Sequence, residues 1–162
     1  MKALTMAMEH LDAPSILSDD NSKPLITDFA AFELWFRKNW NVKNWQYLDW
    51  RKTRNPKYVF TIVWGADLGW QVGEISGYIS EEGTAFSLQD GSTIFLFEFI
   101  KKIALEYPDQ VDKIIFFNEY GEFSRYKHGI SDEELWSRIT MERGHVDREL
   151  MTKFGFWNDS YE

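Results

Sequence analysis

"NWQYLDWRKTRNPKYVFTIVW", Asn44 to Trp64, holds two aromatic and β-branched runs on either side of a polar break. Side chains of this kind suit a pleated, half-buried surface. Asn55-Pro56 inside the break is a turn signal, so the stretch reads as two antiparallel strands. Downstream, "GADLG" is a tight connection into "WQVGEISGYI". "SEEG" then leads to "TAFSLQ", and "DGS" ends it. Four successive strands with short polar links predict an antiparallel meander.

Within it, Gly65, Gly69, Gly73 and Gly77 recur every four residues. No Lys-Ser or Lys-Thr follows and no helix opens there, so this is not a phosphate loop. Gly73 and Gly77 fall on one face of a strand, where missing side chains leave room for a close neighbour. A packed helix or ring is the favoured occupant, ahead of a ligand.

Helical patterns flank the meander. "TDFAAFELWFRKN" offers Thr27 and Asp28 as caps, then Phe29, Phe32 and Phe36 at helical spacing. "STIFLFEFIKKIALEY" carries a stripe of Phe95, Phe99 and Ile103, broadened by Leu96, Ile100 and Leu105, with Pro108 just beyond. "KIIFFNEY" reads as a further strand and "EFSRY" as its return. "SDEELWSRITMER" opens on Ser131 with three acids in its first turn, a strong helix start. "VDRELMTKF" predicts a last short helix. Hairpins dominate and no strand–helix unit repeats. The fold expected is α+β: one antiparallel sheet, a four-strand meander plus one or two further strands, packed by about three helices. Residues 1–24, rich in Pro, Ser, Asp and Asn, are expected to be loosely ordered, with one domain over 25–162.

Composition narrows the functional classes. The 162 residues contain no cysteine, which excludes disulfides, thiolate metal sites and a Cys nucleophile. No apolar run approaches the roughly 20 residues that span a bilayer, and Met1–Pro14 lacks the layout of a signal peptide. A cytoplasmic protein without membrane contact is expected. Residues 1–80 hold nine basic and nine acidic side chains, and 81–162 hold nine and seventeen, so the net charge of −8 arises in the second half. Such a surface steers basic partners in and repels nucleic acid.

Catalytic and metal-binding patterns are sparse. Glu142-x-x-His145 matches half of a di-iron carboxylate site, with no second copy in the sequence. His10 and His128 have no ligand-like spacing, and Ser124 near His128 lacks a third group. No metal and no cofactor are expected. "VDRELMTKF" after "SDEELWSRITMERG" has a helix–turn–helix layout, but Asp147, Arg148, Glu149 and Lys153 balance, unlike a DNA-reading helix.

Trp35, Trp40, Trp45 and Trp50 are spaced by five, interleaved with basic residues. Arg37, Lys38, Lys43, Arg51, Lys52, Arg54 and Lys57 face only Asp49, a local excess of six. Five residues turn a helix by about 140°, so four such rings share no helical stripe. The spacing spans a helix, its exit and a strand, and predicts no common stacking platform. Trp35 and one of Trp45 or Trp50 are expected in the core.

Three functional classes follow. The first is a non-enzymatic acidic binding protein that docks a basic partner, a toxin or nuclease, as inhibitors and immunity proteins do. Its docking acids would be Glu119, Glu122, Asp132, Glu133 and Glu134. The second is a binder of single-stranded nucleic acid or an anionic ligand through segment 37–57, with Trp50, Arg51, Lys52 and Arg54 as contacts. The third is an enzyme that uses paired carboxylates.

Overall fold

The computed structural model describes residues 15–19, 23–49, 57–64, 73–88, 93–118, 120–142 and 144–156. Seven strands form one sheet: β1 (Ser15–Ser18), β2 (Asn41–Leu48), β3 (Lys57–Trp64), β4 (Gly73–Ser80), β5 (Ala85–Leu88), β6 (Ile114–Phe117) and β7 (Phe123–Arg125). Its order is β2-β3-β4-β5-β1-β6-β7, and every pair is antiparallel. Five helices accompany it among the described residues: α1 (Phe29–Asn39), α2 (Thr93–Glu106), α3 (Pro108–Val111), α4 (Asp132–Ile139) and α5 (Arg148–Lys153). The α+β class and the four-strand meander agree with the sequence reading.

The main departure is β1. The loosely ordered stretch expected over residues 1–24 contains a central strand, paired with β5 on one side and β6 on the other. It joins the meander to the β6–β7 hairpin. "SILS" shows no alternation because the strand is covered on both faces, with Ile16 and Leu17 each 1% exposed. Its serines are satisfied internally. The Ser15 and Ser87 hydroxyls lie 2.9 Å apart, and Ser18 Oγ donates to the Lys23 carbonyl at 2.6 Å. Polar composition signals a loop only where such partners are lacking.

The strand registers assign the two faces. Phe60, Ile62, Ile75, Ile79, Phe86, Leu88, Ile16, Ile114 and Phe116 join the main core, which α1, α2 and α4 cover. Leu17, Ala85, Ile115, Phe117 and Phe123 point the other way, onto Leu150 and Met151 of α5. The sheet is therefore clad on both faces at its β1–β6–β7 end. At the opposite end β2 pairs on one side among the described residues. A bulge between Val42 and Asn44, with exposed Lys43 in it, blunts this edge.

Rings hold the layers together. Phe60, Phe86 and Phe99 form a continuous stack from sheet to helix, with centroids 5.3 Å and 4.2 Å apart. Gly77 makes room for it. A Cβ there would lie 2.5 Å from the Phe60 ring and 2.6 Å from the Ser87 carbonyl oxygen. At Gly77 the occupant is thus an aromatic ring, as expected, whereas a Cβ at Gly73 would meet nothing within 4 Å. The wider stripe predicted for α2 needs one correction. Leu105 is 85% exposed. It lies ten residues beyond Phe95, a rotation of about 280°, which carries it off the buried face.

Candidate functional site

The acidic docking set divides in the structure. Glu119 lies outside the described residues. Glu122 closes the β6–β7 hairpin, where Asn118 organises the turn: its Oδ1 accepts from the Tyr120 and Glu122 amides and its Nδ2 donates to the Glu122 carboxylate at 3.0 Å. Glu122 therefore has a turn-building role. Asp132, Glu133 and Glu134 sit in the first turn of α4, past the opposite end of β7.

Local chemistry fixes α4 firmly. Ser131 Oγ accepts from the Glu134 amide at 3.1 Å, and three carboxylates meet the positive end of the helix dipole. Glu134 is then taken by Arg138 at 2.9 Å, one turn on, and Arg138 also donates to the Arg125 carbonyl. Asp132 pairs with Lys101 of α2 at 3.1 Å. Glu133 is exposed and pairs with no described cation. Among the described acids of the set, then, Glu133 is the one whose carboxylate holds no described partner.

Beside it is an aromatic pair that the sequence reading did not single out. Trp136 is 37% exposed, and its ring meets Phe97 of α2 edge-on at 5.8 Å. Lys101 lies over the Phe97 ring and reaches Asp132. Ile94, Phe97 and Lys101 occupy one stripe of α2; Asp132, Glu133 and Trp136 occupy one stripe of α4. The α2–α4 seam is therefore a small apolar patch with an acidic border. A signal for it existed. Leu135 and Ile139 form the buried stripe of α4 and leave Trp136 as a large apolar side chain on a charged helix face.

The basic alternative fares differently. Trp50, Arg51, Lys52 and Arg54 lie outside the described residues. Several of its other cations have partners beyond the segment. Arg37 pairs with Glu33 at 3.4 Å, Lys43 with Glu74 on β4, and Lys57 covers the Tyr78 ring at 4.6 Å. The local excess of six counted along the chain is thus partly neutralised in space. Three of the regularly spaced tryptophans enter one buried corner: Trp35 meets Trp40 at 5.5 Å, and both Trp40 and Trp45 pack on Phe36. Trp40, 8% exposed, is more deeply buried than its place at the helix exit suggested.

Other sequence patterns acquire little support. Among the described residues no three His, Asp or Glu side chains gather as a metal site. Ser124 is fully buried with an unpartnered hydroxyl, whereas His128 is exposed, so the two form no dyad. No helix of the described residues is long and apolar enough to cross a membrane.

A cavity of about 60 Å³ opens between the start of α1, the end of α2 and α3. Ile26, Phe32, Phe86, Phe99, Ile103 and Ile114 line its apolar interior. Thr27, Asp28, Tyr107 and Gln110 supply its polar lining, and the first two are exposed at the mouth. Burial pushes the Tyr107 hydroxyl pKa up, with Glu106 and Asp28 adding negative potential. An apolar void of this size, left unfilled, costs about 1–2 kcal/mol.

No protein-family model matches the chain, and no curated protein or solved structure matches it.

Proposed function

We propose that this chain is a small acidic binding protein of inhibitor or immunity type, acting in the cytoplasm on a basic protein such as a toxin or nuclease. The observation that carries the reading is the half-exposed Trp136–Phe97 pair bordered by Asp132 and Glu133. Tryptophan is a favoured interface anchor, and a surrounding acidic border speeds encounter with a cationic surface. The net charge of −8 acts in the same direction at long range. The docking surface in this reading is narrower than the sequence suggested: Glu133 and Asp132 steer, Trp136 anchors, and Glu122 and Glu134 shape the scaffold.

The test uses the immobilised chain to capture partners from a lysate, followed by kinetics with the purified partner. The expected partner is basic. Its association slows with salt and with Asp132→Lys/Glu133→Lys, while Trp136→Ala speeds its dissociation. Unchanged rates for the combined variant overturn the docking face. A partner bound equally well at high salt overturns the electrostatic part.

A further inference from the structure

Helix α2 carries an outward stripe as well as its buried face. Phe95, Leu96, Phe99 and Ile100 are the buried side chains. Ile94, Glu98, Lys101 and Leu105 stand off that face, spaced by four, three and four residues. Ile94 and Leu105, the two ends, are exposed large apolar side chains, and Glu98 and Lys101 between them are half-buried. From Ile94 to Leu105 the helix turns to within about 20° of three full turns and rises about 16 Å, so the ends lie on one line. We propose that this stripe is the contact between two copies of the chain, their α2 helices antiparallel about a two-fold axis.

The register carries the proposal. Steps of four, three and four are the a/d spacing by which two helices pack along a seam. A two-fold axis between Phe99 and Ile100 sets Ile94 against Leu105 of the second copy and Glu98 against Lys101 of the second copy, each contact occurring twice. Both apolar ends are then matched and both charges are neutralised. A parallel pair would instead set Glu98 on Glu98 and Lys101 on Lys101.

Charge also favours a second copy over a purely basic partner, because a stripe with one acid and one base complements itself, whereas a basic surface repels Lys101. Glu98 has no ion-pair partner among the described residues. Lys101 reaches Asp132 at 3.1 Å, and its ammonium has further donors for Glu98 of the second copy. The net charge of −8 on each copy opposes association. At physiological salt that repulsion is screened beyond about 8 Å. Four layers make a small seam, so the dissociation constant should be on the order of 0.1 mM. The stripe adjoins the Trp136 seam without including Trp136 or Glu133, so the pairing does not rest on the proposed docking face.

Sedimentation equilibrium of the full chain, from about 10 µM to about 1 mM in about 0.15 M salt, tests it. A monomer–dimer equilibrium is expected. Leu105→Glu should weaken it at least roughly tenfold, with the urea midpoint unchanged because the side chain is solvent-exposed. Glu98→Lys alone and Lys101→Glu alone should each be monomeric, and their mixture should form a heterodimer, because each pair is then restored with its signs reversed. A chain that stays monomeric throughout overturns the proposal, as does a dimer indifferent to Leu105→Glu. A mixture that fails to associate overturns the antiparallel register. A monomer whose Leu105→Glu variant loses a basic partner assigns the stripe to that partner and overturns self-association.

Discussion

Two aromatic regions of this chain look alike in composition and differ in fate. Trp35, Trp40 and Trp45 stand among basic residues at equal spacing, a regularity that imitates a stacking platform. They converge around Phe32 and Phe36 and are largely withdrawn from solvent. Trp136 stands alone on a short charged helix and remains partly exposed against Phe97. The difference lies in what surrounds each set after folding. The chain turns from α1 into β2, so a helix face, its exit and one strand face meet the same corner. Helix α4 needs only Leu135 and Ile139 to dock, which leaves its tryptophan on the outer side. Regular spacing along the chain is weak proof of a binding surface; a large apolar side chain left over after a helix has docked is better.

The comparison breaks first if the corner proves dispensable. Phe36 is fully buried and touches Trp40, Trp45, Phe60 and Phe99. Phe36→Ala should cost about 3–5 kcal/mol of stability by urea denaturation, through lost transfer energy and an unfilled cavity. A cost below about 1 kcal/mol, close to the range of exposed sites, would mean that the corner is not the core. Gly77→Ala probes the same region from beneath. The added Cβ meets the Phe60 ring and the Ser87 carbonyl, and backbone cannot yield as a flexible side chain can. Overpacking of this kind should destabilise by about 1–3 kcal/mol. Wild-type stability in this variant would refute the close approach of β4 to that ring.

Trp136→Ala should cost less, about 0.5–1.5 kcal/mol, the worth of an edge-on aromatic pair beyond its burial. Its larger effect should appear in partner dissociation. A stability loss equal to that of Phe36→Ala would assign Trp136 to the core and remove the basis of the proposed docking face.

The sequence made the strands of the meander legible because their links carry strong turn chemistry and their strands are aromatic and β-branched. The caps Asp28 and Ser131 were legible for a local reason as well: each acts on an amide three residues on. Strand β1 was not, because its hydroxyls find partners such as Ser87 that lie 72 residues away. Local charge counts are limited in the same manner. Lys43 and Asp132 find their counterions, Glu74 and Lys101, 31 residues distant, so charge counted within a window misjudges the surface. Glu133 is exposed and has no described counterion, so its charge is the one that the local sequence represents directly.

The boundary of the aromatic corner can be located by titration. Tyr47 on β2 meets the Tyr58 ring at a tilt yet is 40% exposed, and its hydroxyl donates to Glu81 at 2.7 Å. That hydrogen bond, with smaller contributions from lost hydration and the Glu81 charge, raises its pKa to about 12. An unfolded tyrosine releases its proton near pH 10. The native state holds this proton more tightly, so the contribution is fully present below about pH 10 and fades as pH rises through 12. Glu81→Gln removes the charged acceptor and should return the tyrosine toward its ordinary value, read as an earlier phenolate absorbance step. Because Tyr47 is open to solvent, the effect on stability should be the smallest of the series. An unmoved step in Glu81→Gln would mean that Tyr47 is shielded by burial, extending the closed corner outward along β2 to this residue.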